Sequence, residues 1–132
     1  MALEREGLVE AAEVLMGIMA EVGDRPKPAL PDDEGRWLDQ VAAVTDEVDG
    51  LDVSGWLCTV AALTLWGPRT QADPSSLASY VVEAEGGDAA ALTATMTPVV
   101  EHWQSLGVID EMGRLTNAGW WGLPEAFVRA WG

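Results

Sequence analysis

Residues 55–66 contain no charge in a chain where 22% of residues are charged, and this stretch sets the first condition on the fold. Trp56, Leu57, Val60 and Leu63 recur at helical spacing, with Leu65 on a further side. Asp52-Val53-Ser54 offers an N-cap, and Gly67-Pro68 a stop. A helix that is apolar on nearly every side belongs in the middle of a domain, so the other elements are expected to pack around it. At 132 residues the chain is expected to form one domain. A chain of this size buries roughly two-thirds of the surface its unfolded form exposes, without disulfides. Seven Trp stand against one Phe and one Tyr, so each buried indole N–H needs an acceptor. Cys58 is the single cysteine. It excludes an intramolecular disulfide and a Cys-rich zinc site, suits a reducing compartment and is expected as a small core residue.

Around that helix the pattern predicts a series of further helices. Residues 1–22 read as an N-terminal amphipathic helix, because Leu3, Leu8, Ala11, Leu15, Ile18, Met19 and Val22 fall on one side between acidic residues. Three prolines make 23–35 an acidic, Pro-rich, semi-rigid connector. The helical domain is expected over 36–132. Its first helix covers roughly 36–48, behind the capping cluster Asp32-Asp33-Glu34. Asp73 and Asp88 open two more helices, separated by Gly86-Gly87, and Pro98 should kink the second or restart it with Thr97 as N-cap. After Gly107 the pattern changes to a minimal hairpin over 108–116 around a Gly-containing turn. A last helical region begins at Thr116, breaks at Gly122 and resumes with Pro124 in its first turn.

The run Trp103-Gln104-Ser105-Leu106-Gly107-Val108-Ile109-Asp110, followed by Gly113-Arg114-Leu115-Thr116-Asn117-Ala118-Gly119, is similar to the wing region of many bacterial winged-helix proteins. Together with the preceding helices, residues 54–119 resemble a winged helix-turn-helix. The resemblance implies a mainly α fold: a winged-helix-like core with one small β-hairpin, plus N-terminal helices. It also implies a helix that reads DNA, yet the helix in that place offers Thr93, Thr95, Glu101, His102 and Gln104 and no Lys or Arg. Seven basic residues against twenty-two acidic ones give a net charge of −15. Duplex binding depends on cations displacing counterions, so the balance argues against nucleic acid as a partner.

No pattern selects an enzyme, a cofactor or a metal. His102 is the only histidine, and its neighbour Glu101 points elsewhere on a helix, so the pair reads as surface. Asp32-Asp33-Glu34 lacks the spacing of a calcium loop. The chain has neither a Gly-x-Ser-x-Gly elbow nor a phosphate-binding Gly-Lys loop. The expected function is non-enzymatic: a protein–protein interaction or regulatory module, with Trp120, Trp121, Trp131, Met16 and Met19 as candidate partner contacts. A homodimer through the first helix is expected, with Leu8, Leu15, Ile18 and Met19 on its contact face. Two alternatives stand beside this reading. One is a transcription regulator using Arg69 and the wing residue Arg114, and the other is an acidic mimic of DNA that occupies a basic partner. The N-terminus lacks the apolar run of an export signal and no stretch suits a bilayer, so cytoplasm is the expected compartment.

Overall fold

The computed structural model describes residues 5–132, with side chains from Gly7 onward; Leu3 lies outside the described residues. The fold is mainly helical. It comprises α1 (Arg5–Val22), α2 (Glu34–Ala42), the single turn α3 (Val44–Glu47), α4 (Val53–Trp66), α5 (Pro74–Glu85), α6 (Ala89–Ser105) and α7 (Asn117–Trp131). None of these helices is long and apolar enough to cross a membrane. Aspartates open four of them: Asp33, Asp52, Asp73 and Asp88 each accept a backbone N–H in the first turn. Thr116 does the same for α7.

As the missing charge requires, α4 lies at the centre, packed against α1, α5 and α7. Trp56 is fully buried, edge-on to Trp103 at 6.1 Å and stacked with Phe127 at 5.8 Å. Phe127 in turn meets Trp131 at 4.8 Å. Of Trp37, Trp56 and Trp103, the most deeply buried indoles, two find acceptors. Trp37 donates to the carbonyl of Leu106 and Trp103 to that of Val41, whereas Trp56 Nε1 has no partner among the described residues. The two buried threonines of α4 satisfy their hydroxyls on the helix itself, at the carbonyls of Gly55 and Val60.

The structure corrects the expected boundaries in four places. The helix expected over 36–48 stops at Ala42, and a separate turn, α3, follows. Helix α6 runs unbroken through Pro98, and Thr97 returns its hydroxyl to the Thr93 carbonyl instead of capping a restart. Pro98 is exposed, so water can reach the carbonyl its ring leaves without a donor. Helix α7 runs unbroken through both Gly122 and Pro124. Gly122 is there for close packing, since a Cβ at that position would overlap the ring of Trp37 on α2. The hairpin expected over 108–116 shrinks to isolated bridges, Ile109 with Leu115 and Arg114 with Gln71. The turn is held instead by Asp110, which accepts from the N–H groups of Met112 and Arg114 at 2.9 Å.

The connector is anchored at Arg25, whose side chain is only 4% exposed. Pro124 has no N–H for the carbonyl of Trp120, four residues back. Arg25 Nη1 donates to that carbonyl at 3.0 Å and also to the carbonyl of Trp121, while Nη2 pairs with Glu125 at 2.8 Å. Burial lowers the guanidinium from its ordinary value, and Glu125 opposes that shift. Arg25→Met should therefore cost about 2–3 kcal/mol of stability, the worth of charge-assisted hydrogen bonds to groups left unsatisfied. In a Pro124→Ala background the cost should be smaller, because alanine restores an N–H to the same carbonyl. Urea denaturation of the four proteins in this cycle measures the difference. Equal costs in both backgrounds would show that Arg25 does not replace the missing helical donor.

Candidate functional site

Two faces of α4 differ in what they meet. Trp56, Val60 and Leu63 point into the core, whereas Cys58, Ala61, Ala62, Leu65 and Trp66 line a groove of about 380 Å³. Across it, α5 contributes Tyr80, Glu83 and Ala84. α4 is central as expected but not wholly covered, and Cys58, expected as a small core residue, is half-buried: it packs against the core and also lines this groove. The apolar stripe continues around the helix, and among the described residues no other element covers its outer part. Leu65 is 51% exposed and Trp66 56%.

Exposed as it is, Trp66 is held in place. Its ring stands edge-on to Tyr80, with centroids 4.6 Å apart and planes at 89°. The Tyr80 hydroxyl donates to the carbonyl of Gln71, in the segment bridged to Arg114. The neighbouring turn of α4 is fixed from behind, because Trp120 Nε1 donates to the carbonyl of Thr64 at 2.9 Å. Ser54 donates to Glu85 and so joins the other end of α4 to α5. Fixed side chains lose little rotamer freedom on contact with a partner, which is what makes an exposed aromatic pair useful for binding.

Among the described residues Glu83 is the one charged side chain that lines the groove. Burial, followed by the carboxylates of Glu85 and Asp52, pushes the Cys58 thiol above its ordinary value. Burial does the same to the Tyr80 hydroxyl, with Asp73 and Glu83 adding to the effect and a hydrogen bond with Ser76 opposing it. Carboxylates thus influence both walls.

Of the residues expected as contacts, few meet at one surface. Trp131 is 5% exposed and belongs to the aromatic core, which corrects its assignment as a contact. Trp120 is half-buried, its indole committed to Thr64. Trp121 is half-buried with Lys27 Nζ 5.6 Å from its ring centroid, and Met19 shares a small polar hollow with it, Arg25 and Glu125. Met16 is 50% exposed on α1. Leu15 is fully buried in the chain's own core and Leu8 packs against that core, leaving Ile18 and Met19 half-buried. The face on which the dimer expectation relied is largely used within the chain.

His102 is half-buried rather than a free surface residue. Its Nε2 meets the carbonyl of Gln40 at 2.9 Å, and its Nδ1 lies 3.6 Å from Glu47. A carbonyl only accepts, so Nε2 carries the proton and the ring joins α6 to α2 and α3. Among the described residues no group of His, Cys, Asp and Glu is arranged to hold a metal ion. Arg25, Lys27, Arg36 and Arg129 pair with Glu125, Glu34, Asp32 and Asp39. Arg69 and Arg114 are both exposed and form no ion pair among the described residues. Their backbones are neighbours, since the N–H of Arg69 donates to the carbonyl of Leu115 at 2.8 Å.

Leu65, Trp66 and Tyr80, which line this groove and were not among the expected contacts, left a trace in the sequence. Leu65 stood apart from the stripe formed by Trp56, Val60 and Leu63, and Trp66 follows directly at the helix end. Comparison with protein-family models, with curated proteins and with solved structures gives no match for this chain.

The raised thiol has a measurable consequence. At about pH 8 native Cys58 should react with an aromatic disulfide reagent more slowly than free cysteine, and unfolding in urea should remove the difference. A native rate matching that of free cysteine would contradict both the burial and the carboxylate influence.

Proposed function

We propose that this chain is a non-enzymatic protein–protein interaction module, regulatory in kind, on a winged-helix-like scaffold. The order α4, bridge residue Gln71, α5, α6, then the bridge residues Ile109 and Leu115, supports the scaffold. In that scaffold α6 occupies the place of a DNA reader. Its exposed residues are Ala89, Ala90, Ala91, Ala94, Thr97, Pro98, Gln104 and Ser105, with Glu101 as the exposed charge. The observation that carries the functional reading is Trp66. It is a half-exposed indole held rigidly against Tyr80 beside exposed Leu65, and aromatic anchors of this kind dominate binding energy at protein interfaces.

Affinity purification with quantitative mass spectrometry is the direct test, using the wild-type chain and a Leu65→Ser/Trp66→Ser double variant. Partners retained by the wild type should fall by about tenfold or more with the variant, as expected for loss of an interface anchor. Partners retained equally by both would move the contact surface elsewhere, to Met16 or Trp121.

A second copy is a weaker candidate than a different protein, because α1 turns Leu15 inward and two surfaces at −15 repel. The acidic-mimic reading has less support, since Asp33, Asp52, Asp73 and Asp88 serve as helix caps. One observation favours a DNA regulator: the only two cations from Arg25 onward without an ion pair, Arg69 and Arg114, lie on adjacent backbone segments. Two charges are few against a background of −15. Fluorescence anisotropy with random duplex at physiological salt should detect no binding in the ~10⁻⁴ to 10⁻⁶ M range where non-specific binders fall. Salt-sensitive binding that Arg114→Ala abolishes would restore the regulator.

A further inference from the structure

We infer that the groove between α4 and α5 receives one helix of a basic partner protein, apolar along one stripe and carrying Lys or Arg beside that stripe. The inference rests on the reading of the chain as an interaction module and adds the chemistry of its partner. Shape argues for a helix. The groove runs along two roughly adjacent helices, with Ala61 and Ala62 as its floor, and small floor residues let a third helix approach to the usual ~8–10 Å axis spacing. Leu65 and Trp66 rise at one end as the apolar wall, and Tyr80 stands behind Trp66. A helix laid in such a groove presents side chains at i, i+3, i+4 and i+7 to it.

Charge argues for a basic partner. Among the described residues Glu83 is the one charged residue that lines the groove, and no Lys or Arg does. Glu85, further along α5, is also exposed and holds Ser54 of α4. A helix with a cationic flank would meet Glu83 beside its apolar stripe and would be steered toward a surface of net charge −15. The same charge disfavours the other occupants. A second copy brings its own −15 to a groove without a cation, and an anionic lipid surface repels it.

The test is selection from a display library of amphipathic helices about sixteen residues long, ~24 Å, with the apolar stripe and the flanking positions randomised. Selection is made on the full chain and counter-selected on Trp66→Ala. Expected winners carry Lys or Arg beside the stripe, on the flank that faces Glu83. Their binding, measured by anisotropy, should weaken about tenfold with Trp66→Ala or Leu65→Ala. It should also weaken several-fold with Glu83→Gln and as salt is raised from ~0.05 to ~0.5 M. Thermal melts confirm that each variant is folded, and Leu65→Ala stands in if Trp66→Ala is not.

Winners with neutral or acidic flanks, or none that depend on Trp66 or Leu65, would overturn the inference. So would a dimer in sedimentation equilibrium that Trp66→Ala dissolves, because the occupant would then be a second copy. If affinity purification finds a partner that depends on Leu65 and Trp66 while the library yields no basic helix, the interaction module stands and its partner chemistry is wrong. If neither experiment yields a ligand dependent on these residues, both readings fall.

Discussion

The bond from Arg25 to the backbone of α7 holds together the parts of this fold that depend on one another. Pro124 leaves the carbonyl of Trp120 without a helical donor, and a guanidinium from outside the helix supplies one. That bond ends α1 against α7 and brings the chain round so that α2 meets α7 on its other side, where Trp37 passes over Gly122. Trp120 then extends the tie to α4 through its indole and the Thr64 carbonyl. The exposed end of α4, with Leu65 and Trp66, is therefore linked by two hydrogen-bonded steps to a residue of the connector. A lone arginine can do this because it remains charged when buried and offers several donors in a fixed plane.

The acidity of the chain has two physical components that act at different ranges. Locally, aspartates close helix N-termini, where each carboxylate satisfies a backbone donor and meets the positive end of the helix dipole. Further out, exposed carboxylates on α1 and α5 that form no ion pair among the described residues set the sign of the surrounding field. Glu10 and Glu13 are exposed on the outer side of α1, and Glu83 and Glu85 on α5. Four of the cations from Arg25 onward are drawn into ion pairs, so they do little to soften that field. Net charge alone would have suggested a uniformly solvated surface, whereas the arrangement separates carboxylates that cap helices from those that only face solvent.

The helices were legible where composition and spacing agree. The caps at Asp52, Asp73 and Asp88 follow from side chains that accept N–H bonds, and the central position of α4 follows from its lack of charge. What failed were inferences that required knowing the neighbours. Gly122 read as a break because glycine weakens an isolated helix, but here the ring of Trp37 requires the missing Cβ. Pro124 read as a first-turn residue because its donor is missing, and Arg25, about a hundred residues away, supplies that donor. The tryptophan signal was real and partly misplaced: Trp131 went to the core and Trp66 to the surface. One-sequence spacing cannot distinguish two apolar faces of a helix when only one is covered.

The exposure of Trp66 also gives the protein a built-in optical contrast. Trp37, Trp56, Trp103 and Trp131 are buried and Trp120 and Trp121 are half-buried, so one indole of the seven stands mainly in water. Its emission should lie to the red of that of the enclosed rings, which unfolding would shift in turn. Covering Leu65 and Trp66 would exclude water from that one ring and should move its emission toward the blue. Solvent exposure at this end of α4 and integrity of the core would then be read separately, in a single unlabelled sample.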